Sequence, residues 1–186
     1  MAVLGSGNGG CAVAFDFAAN GHNVRIFDFA QFPDSIRSIL KNKGVNAEGD
    51  LEGFAPITYA GHDIKRTIDG TDLVFVVGPV YSTRPFAEVS KPYLEKAQIV
   101  VVCPSSCGDS IEFKNVAGLR IQDDSVIVAE TSTLPYAVRS IERGKIEFQT
   151  TPTLIIVRKS ISKIRRRAYD TFYPNEGCKY LKEYLH

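Results

Sequence analysis

The chain has almost no charge imbalance, few thiols, few imidazoles and no long apolar run, and each shortage removes a class of function. Its 22 Lys and Arg residues face 21 Asp and Glu, a net charge of +1 over 186 residues. Such a balance lacks the cationic footprint that nucleic acid or an anionic membrane surface recruits, so neither is an expected partner. The four cysteines are Cys11, Cys103, Cys107 and Cys178, and no two form a CxxC pair. A proline and two serines separate Cys103 from Cys107, and none of the three histidines stands at ligand spacing from them, so no metal site is expected. Reduced thiols in a cytoplasmic protein fit this usage better than a disulfide framework. No apolar run reaches the length of a membrane span, and Met1 leads straight into an apolar strand rather than a signal peptide. With 44% hydrophobic residues, enough remains for one sizeable core: a single domain with a short appendage.

The richest stretch is Met1 to Ala30. Ala2-Val3-Leu4 is a short apolar run ending in Gly5-Ser6-Gly7-Asn8-Gly9-Gly10. A small-residue segment, Cys11 to Asn20, stops at Gly21, and a second apolar run, Val24-Arg25-Ile26-Phe27, is closed by Asp28. Strand, glycine turn, helix, strand and acid in that order make the first βαβ unit of a dinucleotide-binding fold. Gly5 permits the tight turn, Gly7 lets the main chain approach a pyrophosphate, and Gly10 lets the helix lie close against the strands. The candidate phosphate cradle is therefore the whole turn: Gly5, Ser6, Gly7, Asn8, Gly9 and Gly10. The free N–H groups and the positive end of the helix dipole face the phosphates. Asp28 follows Gly10 by 18 residues, the distance at which an acid meets the adenosine ribose. Its carboxylate accepts two ribose hydroxyls and repels a 2′-phosphate, and no Arg or Lys follows before Arg37, so NAD rather than NADP is expected. Two other readings of this turn stay open: a structural glycine turn in another α/β domain, and a methyltransferase, which also places an acid after its second strand.

Downstream, helical spacing predicts Gln31–Lys43, the short His62–Asp69, Thr83–Lys96 with a break at Pro92, Ser110–Leu119 and Ser160–Phe172. Strands are expected at Ala55–Ala60, Leu73–Val77, Ile99–Cys103 and Ser125–Ala129, with Val45–Gly53 as a loop. Lys145–Gln149 and Thr153–Val157 read as an antiparallel pair at one edge. Valine-rich strands alternating with helices mean an α/β fold with a doubly wound, mostly parallel sheet, a Rossmann domain over residues 1–173 with a tail at 174–186. Ligands of such sheets lie beyond the carboxyl ends of the strands. Here those ends are Gly5–Gly10, Asp28, Gly78–Tyr81, Pro104–Gly108 and Glu130–Tyr136.

Val3 to Gly10, Val77-Gly78-Pro79, Cys103 to Gly108 and above all Glu130-Thr131-Ser132-Thr133-Leu134-Pro135-Tyr136-Ala137-Val138-Arg139 resemble the cofactor domain of opine dehydrogenases. The resemblance runs from Val3 to Phe172, and the first half is similar, more loosely, to glycerol-3-phosphate dehydrogenases and ketopantoate reductases. It implies reductive condensation of an amino acid with a 2-keto acid, using a nicotinamide cofactor. It places Val77, Gly78 and Pro79 near the nicotinamide, and Ser106 and Thr133 near the amino acid. In that family a following helical domain supplies a catalytic His paired with an Asp. This chain ends at His186, where that domain would begin, and none of His22, His62 or His186 fits the role. No catalytic residue is therefore expected within it. The tail carries Tyr180, Leu181, Tyr184 and Leu185 as an apolar stripe, expected to meet a helical catalytic domain or another copy of the chain.

Several side chains read two ways. The hydroxyls of Ser106 and Thr133 can orient a polar ligand or form turns. Glu130 can hold a substrate ammonium or cap a loop, and Arg139 can meet a carboxylate or a surface partner. The basic run Arg158 to Arg167 keeps Ile161 and Ile164 at core spacing and interleaves no aromatic, so it reads as a solvated helix face. The expected function is NAD(H) binding within an opine-dehydrogenase-like oxidoreductase. The rival is a non-catalytic NAD-sensing regulatory module.

Overall fold

The glycine turn opens the chain's first crossover: β1 (Ala2–Leu4), α1 (Asn8–Ala19) and β2 (Arg25–Phe27). The structure, a computed structural model, describes residues 1–105, 108–150 and 157–159. Next come α2 (Pro33–Asn42), β3 (Gly44–Gly49), β4 (Gly53–Pro56), β5 (Tyr59–Gly61) and α3 (Ile64–Ile68). After β6 (Leu73–Val77), a 3-10 turn at Val80–Ser82 leads into α4 (Thr83–Ser90). Pro92 has no N–H to continue the α ladder, and the chain tightens to a second 3-10 turn at Lys91–Tyr93, the break expected there. Then follow β7 (Ile99–Cys103), α5 (Asp109–Ala117), β8 (Ile127–Thr131), β9 (Ala137–Glu142), β10 (Lys145–Thr150) and β11 (Val157–Lys159).

The main sheet runs in the order β11-β8-β7-β6-β1-β2-β5. All its pairs are parallel except β11 with β8. This is the doubly wound α/β sheet expected from the sequence. Because β1, β2, β6, β7 and β8 point the same way, their carboxyl ends share one edge. On one face Leu4, Val74, Val76, Val100 and Val102 pack against Ile68, Phe86, Ala87 and Phe113 of α3, α4 and α5.

The other face departs from expectation. Residues Val45–Gly53, read as a loop, lie largely in β3, which forms an antiparallel hairpin with β4. The single strand expected at Ala55–Ala60 divides between β4 and β5, which belong to different sheets. β10 runs antiparallel to β9 and parallel to β3, while Val157, the last residue of the strand expected at Thr153–Val157, belongs to β11 beside β8, and residues 153–156 lie outside the described residues. The result is a second sheet, β4-β3-β10-β9, laid across α1. Cys11, Ala12, Val13, Ala14 and Phe15 are consequently buried between Val3, Phe75, Val77 and Val101 of the main sheet and Val45, Ala47, Ala55, Ile146 and Phe148 of the second. A helix apolar on every side must be covered on every side, and two sheets do that here. Phe15 and Phe148 meet at 5.7 Å between ring centroids, and Tyr136 stands edge-on to Phe148 at 5.4 Å. Ser106, Cys107, Thr153, Cys178, the helix expected at Ser160–Phe172 and the tail from Asn175 to His186 lie outside the described residues. No helix among the described residues is long and apolar enough to cross a membrane.

Candidate functional site

The glycine turn sits where β1 meets α1, at the point where the sheet order reverses between β1 and β6. Gly5 has φ 110°, and a Cβ there would collide with the Val77 carbonyl; one on Gly10 would collide with the Gly5 carbonyl. These two glycines let strand, turn and helix touch. Gly7 is different: a Cβ there meets nothing within 4 Å. The space a pyrophosphate needs is open on that side. Gly9 faces Leu134, whose Cδ1 would lie 3.0 Å from an added Cβ, and Val77, whose Cγ1 would lie 3.1 Å away.

The helix starts differ in how their N–H groups are answered. In α3 the Asp63 carboxylate accepts from Arg66 N at 3.1 Å, and in α5 Glu130 accepts from Ser110 N at 3.0 Å. In α1 Gly7 is the N-cap, no side chain caps it and no acid stands in the first turn. No residue of α1 itself offsets the positive end of its dipole. An anionic group fits the donors at Asn8, Gly9 and Gly10.

Asp28, at the end of β2, is buried and wired to this turn. Its Oδ2 accepts from Ser6 N and Ser6 Oγ, both at 2.7 Å, and its Oδ1 accepts from Phe29 N at 2.8 Å. Ser6 is thus turned inward to the acid, and its hydroxyl holds the acid and the turn as one unit. Val77 is buried at the end of β6; Gly78 and Pro79 follow, and the Pro79 carbonyl accepts from Ser82 N at 2.8 Å and Ser82 Oγ at 2.6 Å.

At the far side of the rim, Thr133 is exposed, its hydroxyl making a 3.4 Å contact with the Leu134 carbonyl. The Cys103 thiol lies 4.0 Å from the Thr133 carbonyl, and burial pushes that thiol up to about 11. The Glu130 carboxylate caps α5 instead of standing free. Burial by itself would raise its pKa, but bonds from Ser110, Ser105 and the Gly108 backbone outweigh it and hold the pKa below the usual value. Tyr136 turns inward, donating to Asp16 Oδ2 of α1 at 2.6 Å. Arg139 is exposed on β9, opposite Glu147 of β10 in the second sheet. His62, which the sequence reading set at the start of a short helix and gave no role at the site, has its Nδ1 2.7 Å from the Asp28 carbonyl although 34 positions separate them. Nothing local in the sequence announces that contact. Among the described residues no three His, Cys, Asp or Glu side chains gather to hold a metal.

Residues 1–106 match the family described as NAD-dependent glycerol-3-phosphate dehydrogenase N-terminus. The chain belongs to that family. It carries the NAD-binding N-terminal domain found in oxidoreductases of the glycerol-3-phosphate and opine dehydrogenase kind. Among curated relatives it is 29% identical over 147 residues to an opine dehydrogenase of Arthrobacter sp. strain 1C, covering 78% of this chain and 40% of that protein. It is 29% identical over 106 residues to the glycerol-3-phosphate dehydrogenase [NAD(P)+] of Bacillus velezensis, covering 54% of this chain and 29% of that protein. The fold is shared with octopine dehydrogenase in complex with NADH and agmatine, at a TM-score of 0.74 and 21% identity, over 92% of this chain and 45% of that one. The chain thus spans less than half the length of each of these proteins.

Proposed function

We propose that the chain holds NAD(H) across the carboxyl edge of its main sheet, as the cofactor half of an opine-dehydrogenase-like oxidoreductase. The observation that carries this is the uncapped start of α1, with open space at Gly7 on one side and the Ser6–Asp28 pair on the other. Gly5, Ser6, Gly7, Asn8, Gly9 and Gly10 cradle the pyrophosphate, and Asp28 meets the adenosine ribose. Val77, Gly78 and Pro79 border the nicotinamide. Thr133, brought over the start of α1 by Leu134 against Gly9, orients the amino acid, with Ser106 assigned beside it by resemblance. NADH, when bound, supplies a hydride for an electrophilic carbon; the protein supplies orientation and electrostatics.

The substrates of this reading are an amino acid and a 2-keto acid, joined as an imine. The acid–base group comes from a helical domain beyond residues 1–173, and that domain or a second copy of the chain is the partner of this reading. A cytoplasmic setting accords with the free, buried thiols of Cys11 and Cys103. Titration with NADH tests the cofactor reading, with Gly7→Val as the discriminating variant. Its side chain enters space that no protein atom occupies, so the fold should survive while nucleotide binding is lost. Retained affinity in a folded Gly7→Val chain refutes the assignment.

A further inference from the structure

Counting acceptors at Asp28 exposes a shortfall. A carboxylate offers about four lone-pair positions, and Ser6 N–H, the Ser6 hydroxyl and Phe29 N–H already occupy three of them. An adenosine ribose brings two hydroxyl donors. One can use the position left on Oδ1, and the other needs an acceptor at the same edge. The fold brings His62 there. It directly follows β5, which lies beside β2 with Gly61 opposite Phe27, and Asp28 N donates to the Gly61 carbonyl at 3.2 Å. A carbonyl oxygen only accepts, so the 2.7 Å contact to the Asp28 carbonyl places the hydrogen on Nδ1. In the neutral ring Nε2 then carries a lone pair. The ring is exposed, and this is its one hydrogen bond within the described residues.

Resting on the NAD(H) reading above, we propose that His62 is a second recognition residue for the adenosine ribose. Neutral, it accepts a ribose hydroxyl at Nε2. A 2′-phosphorylated ribose brings one hydroxyl donor fewer, so the Nε2 acceptor adds to the preference that the Asp28 charge sets for NADH over NADPH. Two charged neighbours are engaged elsewhere: Asp63 caps α3, and the Arg66 guanidinium lies 4.4 Å over the Tyr59 ring.

The test is titration of the whole chain with NADH and NADPH in the wild type, His62→Ala and His62→Arg. His62→Ala removes the acceptor and should weaken NADH binding about fivefold, with a smaller effect on NADPH. His62→Arg keeps an N–H for the Asp28 carbonyl and adds a permanent cation, so the ratio of NADPH to NADH dissociation constants should fall about fivefold or more. If His62→Ala binds NADH as tightly as the wild type, or if His62→Arg leaves the ratio unchanged, the inference is wrong although NADH binds. If the wild type binds neither nucleotide, the underlying reading falls and this one with it.

Discussion

Replacing Tyr136 by Phe removes its bond to Asp16. The ring is buried and stands edge-on to Phe148, so Phe keeps the packing and only the hydroxyl is lost. That hydroxyl donates to Asp16 Oδ2 at 2.6 Å, while Asn20 Nδ2 still donates to Oδ1 at 3.0 Å. A bond to a charged carboxylate contributes about 1.5–3 kcal/mol, and the surviving Asn20 bond puts the expected loss near the lower end. For a chain of this size that lowers Tm by roughly 3–8 °C. Burial raises the Asp16 pKa, and the Tyr136 and Asn20 bonds pull it back only in part. A carboxyl raised in the folded state favours folding below its unfolded value and loses that contribution as pH rises through the folded one. Without the Tyr136 hydroxyl the folded pKa rises further. The gap between Tyr136→Phe and wild type should therefore be widest near neutrality and shrink in acid, as Asp16 protonates. Thermal melts across that range measure it. Equal melting near neutrality, or a gap that widens in acid, would refute the role given to Tyr136 as the bolt between the second sheet and α1.

Two more expectations follow from individual groups. Glu130→Gln removes the charge that caps α5, so it should cost about 1 kcal/mol near neutrality. Because the folded Glu130 pKa is depressed, its contribution is present above the unfolded value and disappears as pH falls through the folded one; chemical denaturation of the two forms should converge in acid, and a constant gap would count against the cap. Burial pushes the Cys11 thiol up to about 12 and the Cys103 thiol up to about 11, so neither should be alkylated in the folded chain at mildly alkaline pH. Peptide mapping after brief labelling, with and without denaturant, checks this, and prompt labelling of either in the folded state would contradict its burial.

The sequence by itself determined the first crossover and the class of fold. Gly5, Gly7, Gly10 and Asp28 fall within about thirty residues, and the bonds that shape a strand–turn–helix–strand unit are local, so composition and spacing carry them. The same holds for Leu73–Val77 and Ile99–Cys103, whose unbroken apolar runs can only be strands covered on both faces. The second sheet was beyond such reading, since its central pair joins β10 to β3 in parallel from distant parts of the chain. The one sign of it was α1, apolar on every side, which says that something covers the helix but not what. Tertiary packing also decided the roles of single side chains. Glu130 became a cap because α5 starts beside it, and Tyr136 turned inward because Asp16 faces it across the helix. His62 reached Asp28 because β5 lies against β2. Contacts between strands that are neighbours in space but not in sequence leave no periodic trace, and for that reason the edge of this site could be assembled only in three dimensions.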